Sequence, residues 1–226
     1  MNISSLENIR GGDGRQVRNV LWTPASASGD KSRGTAVFLP GYQYPPEAPI
    51  FFYLQGVFLD QGWSVLSLDY RYNENDVFNR LTDAKKAEYL MSDAEAFFSV
   101  VKEFTGKGTV CYTAKSLGTS VLYHMVRNNI DYFSNEQRQC IWLTPAVNHA
   151  DIVNLLVGNT IRSAYVIGTA DSFYRPALIQ TLSALSHVRI LVQPEAGHVL
   201  EKERDIVESI ENLEHAVSFL DSFMFG

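Results

Sequence analysis

Cys111-Tyr112-Thr113-Ala114-Lys115-Ser116-Leu117-Gly118-Thr119-Ser120 reads as a short apolar strand that turns directly into a helix, with a serine at the corner. The strand is the run from Thr109 to Thr113 and the helix is Leu117 to Asn128. A turn this sharp crowds the backbones two residues either side of its apex, so those positions must be small, as Ala114 and Gly118 are. Such a corner lifts the Ser116 hydroxyl clear of the sheet edge. The same residues lie near a phosphate-loop pattern, because Thr109 to Ser116 ends in Lys-Ser. Thr109 and Ala114 stand where that pattern needs glycine, so the backbone amides could not curl around a phosphate.

Outward from this corner the chain alternates short strands with longer helical segments. Upstream, strands are predicted at Val17–Thr23, Thr35–Leu39 and Ser64–Leu68, with a Ser-, Gly- and charge-rich loop at Pro24–Gly34. Helices are predicted at Pro49–Gln61, where Ile50, Tyr53, Leu54, Val57 and Phe58 recur at three- and four-residue spacing, and at Asp83–Phe104. Downstream come strands at Gln139–Leu143, Ala164–Ile167 and Val188–Val192. Helices are predicted at Ile152–Leu156, Ala177–Leu185 and Asp205–Phe223, with the charge run Glu201–Asp205 as the exposed start of the last one. Because the strands are near-continuous apolar runs, the pattern implies an α/β fold in which helices cover both faces of a mostly parallel sheet.

Composition agrees with a globular chain. Of 226 residues, 46% are hydrophobic and 19% charged, outside the range of disorder, and at this length roughly 70% of the chain surface can be buried. No repeat or linker divides it, so a single domain over residues 1–226 is the simplest organisation. The net charge is −6 with no basic run, which disfavours nucleic acid as a partner. No signal-like or membrane-length apolar segment stands in the sequence, which points to a cytoplasmic protein with no membrane partner. Cys111 and Cys140 lie inside apolar runs and read as reduced, buried thiols. Oligomeric state has no signature here.

A serine at a corner is weak on its own, since it can simply cap a helix. Its downstream partners strengthen the reading. The strand Ala164–Ile167 ends in Gly168-Thr169-Ala170-Asp171, and the strand Val188–Val192 ends in Gln193-Pro194-Glu195-Ala196-Gly197-His198. Small-x-Ser-x-Gly, then Gly-x-x-Asp, then Gly-His, each after a strand and in that order, resembles the α/β-hydrolase family, with Ala114 replacing the first glycine of the usual elbow. The resemblance spans the chain from the strand near Thr35 to the last helix, and is to small, lidless, serine-esterase-like members.

That resemblance implies a catalytic triad of Ser116, Asp171 and His198. It also implies an oxyanion hole from the backbone amides of Leu117 and of Tyr42, the latter in the loop Phe38-Leu39-Pro40-Gly41-Tyr42-Gln43. Many members carry His-Gly where this chain has Pro40-Gly41. The short segment between the strands ending at Leu143 and starting at Ala164 implies a minimal cap and a shallow, open pocket suited to small acyl groups. The activity implied is hydrolysis of small carboxylic esters through an acyl-enzyme, without cofactor or metal, because no dinucleotide fingerprint or metal-ligand cluster appears. Thioesterase or peptidase chemistry on the same triad, or a non-catalytic binding protein on this fold, are the alternatives. Candidate substrate contacts are Gly41, Lys115 and His149. Asp69 reads as a structural carboxylate bonding loop amides, and His124 as a packed side chain.

Overall fold

Strands of uninterrupted apolar residues need cover on both faces, and the computed structural model, which describes residues 1–24, 32–146 and 149–226, supplies it. The chain begins with β1 (Asn2–Ser4), β2 (Arg18–Thr23), β3 (Thr35–Leu39), α1 (Pro49–Asp60) and β4 (Ser64–Asp69). A 3₁₀ turn at Tyr72–Glu74 and the short α2 (Asp76–Asn79) lead into α3 (Asp83–Thr105). Next come β5 (Val110–Lys115), α4 (Leu117–Asn128) and the one-turn α5 (Ile130–Phe133). The rest alternates as β6 (Arg138–Leu143), α6 (His149–Val157), β7 (Ser163–Gly168), α7 (Pro176–Ser183), β8 (Val188–Gln193) and α8 (Ile206–Phe225).

Among the described residues the strands form one sheet in the order β1-β2-β4-β3-β5-β6-β7-β8. Pairing is parallel from β4 through β8, and β2 runs antiparallel to both of its neighbours. Successive residues of the central strands enter opposite cores. In β5, Val110, Tyr112 and Ala114 pack beneath α3, α4, α6 and α7, while Cys111 packs beneath α1 and α8. This is why the strands read as apolar runs rather than alternating ones. Cys140 lies in the first core and Cys111 in the second, so the two free thiols sit on opposite faces of the sheet. Burial pushes the Cys111 thiol up to about 12.

The differences from the sequence reading have local causes. β1 is three exposed residues paired on the antiparallel edge, with no hydrophobic pattern to announce it. α2 and α5 are single turns, too short for a helical period to show. The last helix begins at Ile206, with the Asp205 side chain accepting from Glu208 N–H at 3.0 Å as its cap. The charge run Glu201–Asp205 is therefore the loop before the helix, where Lys202 pairs with Glu195 and Glu208. Of the expected loop Pro24–Gly34, residues 25–31 lie outside the described residues. Between β6 and β7 the only helix among the described residues is the nine-residue α6. No helix among them is long and apolar enough to cross a membrane.

Candidate active site

The corner between β5 and α4 places Ser116 at φ 51° and ψ −120°, a conformation that L-residues other than glycine rarely adopt. Strain of this kind costs about 1–3 kcal/mol and persists only where the surroundings over-determine it. Here they do. Ser116 N–H donates to the Leu143 carbonyl at 3.0 Å, and the Ser116 carbonyl accepts from Thr119 N–H at 3.0 Å and from the Thr119 hydroxyl at 2.5 Å. A Cβ at Gly118 would stand 2.1 Å from the Leu39 carbonyl oxygen, so only glycine lets α4 press this closely on the end of β3.

The loops after β7 and β8 meet beside this corner. A Cβ at Gly168 would lie 1.9 Å from the Ala196 carbonyl oxygen, so the strand ends touch backbone to backbone. Ala170 N–H donates to that same carbonyl at 3.0 Å, and Glu195 N–H donates to the Thr169 hydroxyl at 2.8 Å. These contacts bring Asp171 to His198. His198 Nδ1 lies 2.8 Å from Asp171 Oδ2, and His198 Nε2 lies 2.8 Å from Ser116 Oγ. Asp171 Oδ1 accepts from Phe173 N–H at 2.9 Å. Burial alone would raise the Asp171 carboxyl. The hydrogen bonds from His198 and Phe173, with the nearby His198 and Lys115 charges, outweigh it and hold the group below the usual carboxylate range. An ionised carboxylate only accepts, so Nδ1 carries the imidazole proton and Nε2 presents its lone pair to the serine hydroxyl. The Asp171 side chain is sealed from solvent, whereas that of His198 is 34% exposed.

The loop after β3 closes the third side. Gly41 N–H donates to the Tyr44 carbonyl at 3.2 Å, and a Cβ at Gly41 would stand 3.2 Å from Ser116 Cβ. The buried Tyr70 hydroxyl donates to the Pro40 carbonyl at 2.5 Å and ties this loop to the end of β4. Among the described residues, the amides of Tyr42 and Leu117 have no protein acceptor. The Leu117 amide also sits at the positive end of the 12-residue α4.

The three residues expected to touch substrate, Gly41, Lys115 and His149, are all buried. Gly41 is buried and supplies close approach rather than a contact surface. Lys115, one of these candidate contacts, is 0% exposed. Its Nζ donates to Thr144 Oγ1 at 2.6 Å and to the His198 carbonyl at 2.7 Å, and lies 4.6 Å from the centre of the Tyr44 ring. Burial lowers the ammonium to about 7, opposed only in part by Asp171 and Glu201. His149 is 8% exposed and stacks on Tyr165, and its Nδ1–H donates to the Phe173 carbonyl at 2.9 Å. Burial, with Arg175 adding to it, lowers this imidazole against the opposing Phe173 bond and Asp171. It therefore holds the loop that carries Asp171. Among the described residues Asp69 bonds no loop amide; it pairs with Arg71 at 2.9 Å and Arg18 at 3.4 Å.

Residues that the sequence did not single out are Tyr70, Thr144, Thr169 and Phe173. Only Phe173, partly exposed with its ring centre 5.8 Å from that of His198, faces the site edge. Thr144 takes φ 41° at the end of β6, unusual for a β-branched residue, and its hydroxyl is the one that accepts from Lys115. No group of three or more metal-ligating side chains is gathered among the described residues.

A mostly parallel eight-stranded sheet of this order, with a strained serine after β5 and loops from β7 and β8 converging on it, is the α/β-hydrolase fold. Comparison with solved structures finds the same fold at low sequence identity. A dienelactone hydrolase from Anabaena variabilis superposes with a TM-score of 0.69 at 15% identity, covering 99% of this chain and 96% of that one. Est1E from Butyrivibrio proteoclasticus gives 0.68 at 12% identity, over 94% of each chain. An α/β serine hydrolase without lid from Xanthomonas campestris gives 0.61 at 14%, covering 96% of this chain and 93% of that one. No protein-family profile and no curated protein sequence matches the chain.

Proposed function

We propose that this protein is a serine hydrolase that cleaves carboxylic esters of small acyl groups through an acyl-enzyme. The observation that carries the reading is the unbroken sequence of contacts from Ser116 Oγ to His198 Nε2 and from His198 Nδ1 to Asp171 Oδ2, each 2.8 Å. A serine hydroxyl attacks a carbonyl only as it sheds its proton, and Nε2 stands ready to take it. Attack forms the Ser116 Oγ–carbon bond and moves the carbonyl π pair onto oxygen. In this reading the amides of Leu117 and Tyr42, which have no acceptor among the described residues, receive that oxyanion, each worth roughly 3–4 kcal/mol in comparable sites. The imidazolium, stabilised by Asp171, returns the proton to the departing alkoxide, and water then hydrolyses the acyl-enzyme by the same route.

The small-acyl preference rests on the shortness of the segment between β6 and β7, where α6, nine residues long, is the only helix among the described residues. The names carried by structural neighbours, the dienelactone hydrolase and a cold-adapted esterase from an Arctic intertidal metagenomic library among them, accord with ester chemistry. A fluorophosphonate probe tests the reading, because it reacts only with an activated hydroxyl. Wild type should label at Ser116 and cleave short-chain nitrophenyl esters in preference to triglyceride emulsions, with both activities absent from Ser116→Ala. A wild type that takes no probe and turns over no ester is a binding protein on this fold instead.

A further inference from the structure

Lys115 stands beside the serine, yet it points away from it, into the protein. Its Nζ reaches the carbonyl oxygen of His198 at 2.7 Å, the hydroxyl of Thr144 at 2.6 Å and the face of Tyr44 at 4.6 Å. One side chain thus touches the loop that carries the imidazole, the turn after β6 and the loop after β3, while its own backbone forms part of the serine corner. No carboxylate pairs with it among the described residues; Asp171 and Glu201 act on it only at a distance. Burying an ammonium without a counter-ion is unfavourable, and an apolar side chain of the same length would suit stability better. Thr144 adds a second unfavourable feature, since it holds φ 41° while its hydroxyl meets Nζ. Together with Ser116 at φ 51°, that makes three costly arrangements within one site, where strain and buried charge are retained for function.

We infer that Lys115 is a positioning residue for the proposed hydrolysis, holding the His198 main chain so that Nε2 stays within reach of Ser116 Oγ. The role rests on the reading of Ser116 as nucleophile. The carbonyl of His198 is the only backbone group of that residue with a side-chain partner among the described residues, and that partner is Nζ. Without it, the loop from Pro194 to Leu200 keeps its stitches to the acid loop through Ala196 and Glu195, but the main chain of His198 itself has no other hydrogen-bond partner among the described residues, so the imidazole is held only through its own ring contacts. A drift of about 1 Å in a reacting group lowers a rate by up to about 100-fold.

The test compares purified wild type with Lys115→Met, which keeps the length of the side chain and removes its donors. Lys115→Met should fold with a melting temperature no lower than wild type. Its kcat on a short nitrophenyl ester should fall about 10- to 100-fold with KM within about twofold, and its fluorophosphonate labelling should slow in proportion. The downfield proton resonance of the His198 Nδ1–H on Asp171 should weaken or broaden, which general loosening elsewhere would not produce. A folded Lys115→Met with wild-type kcat and an unchanged resonance overturns the role of Lys115 and leaves Ser116 as nucleophile untouched. If Lys115→Met does not fold, Thr144→Val removes one anchor of Nζ and should lower kcat about threefold or more at constant KM; unchanged kcat there makes Lys115 a purely structural residue. A wild type inert to probe and ester sinks the underlying hydrolase reading instead.

Discussion

The hydroxyl of Tyr70, buried just past the end of β4, donates 2.5 Å to the carbonyl of Pro40, the residue that opens the loop bearing the Tyr42 amide. Pro40 cannot itself donate, and its carbonyl is buried, so this hydroxyl is what satisfies it. Tyr70→Phe should leave the carbonyl unpartnered and cost about 1–3 kcal/mol of stability. It should also loosen the amide proposed to bind the oxyanion. The expected kinetic result is a fall in kcat of about tenfold with KM little changed, since the donor matters only once the oxyanion forms. A Tyr70→Phe enzyme with wild-type kcat would mean that the loop is held without it.

Ser116 separates stability from activity. Glycine accommodates φ 51° and ψ −120° without a Cβ clash, whereas alanine does not. Ser116→Gly should therefore melt about 2–4 °C above Ser116→Ala, the strain relieved exceeding the entropy that glycine adds to the unfolded chain by about 1 kcal/mol. Both should lose ester turnover on the order of 10⁶-fold if the three side chains act as a unit. Equal melting temperatures for the two would show that the corner stores no strain.

The corner was legible because its requirements are local. Small residues at 114 and 118, a strand before and a helix after can all be read within ten positions. The strand ends that carry Asp171 and His198 were legible for the same reason, and the structure brings them to Ser116. What could not be read were the contacts made across long separations. Lys115 meets Thr144 and His198, 29 and 83 residues away, and nothing near Lys115 says that its ammonium turns inward. His149 likewise reads as a rim residue until its bond to the Phe173 carbonyl is known. β1 escaped notice because an exposed three-residue edge strand carries no hydrophobic alternation.

The buried Lys115 sets a pH dependence of stability with a definite sign. Its ammonium is lowered from 10.5 to about 7 on folding, so between those values the unfolded chain holds a proton that the folded chain lacks. Stability contributed by this group accordingly rises as pH increases from about 7 toward 10, by up to about 1.4 kcal/mol per pH unit, and the full penalty is present below pH 7. Lys115→Met removes the penalty. The melting temperature of Lys115→Met should exceed that of wild type most at pH 6, and the gap should close as pH rises to 10. Differential scanning calorimetry at several pH values checks this, and a gap that widens with pH would contradict the burial of an ammonium.

Asp171→Asn tests which proton His198 carries. Asp171 accepts at both oxygens, from Phe173 N–H at Oδ1 and from His198 at Oδ2. An asparagine can keep the first bond only by turning its carbonyl to Phe173, and its NH₂ then faces His198 Nδ1. A donor at that position makes Nδ1 the acceptor and moves the imidazole proton to Nε2, where it points at Ser116 instead of receiving from it. The base is lost while the packing survives. The expected result is a fall in kcat on the order of 10⁴-fold with the melting temperature lowered only modestly. Asp69 cannot take over, since its carboxylate is committed to Arg71 and Arg18 at the β2–β4 side of the sheet. A variant retaining more than about a tenth of wild-type turnover would therefore mean that His198 needs no carboxylate to hold its tautomer, and that Asp171 serves only to pin the loop through Phe173.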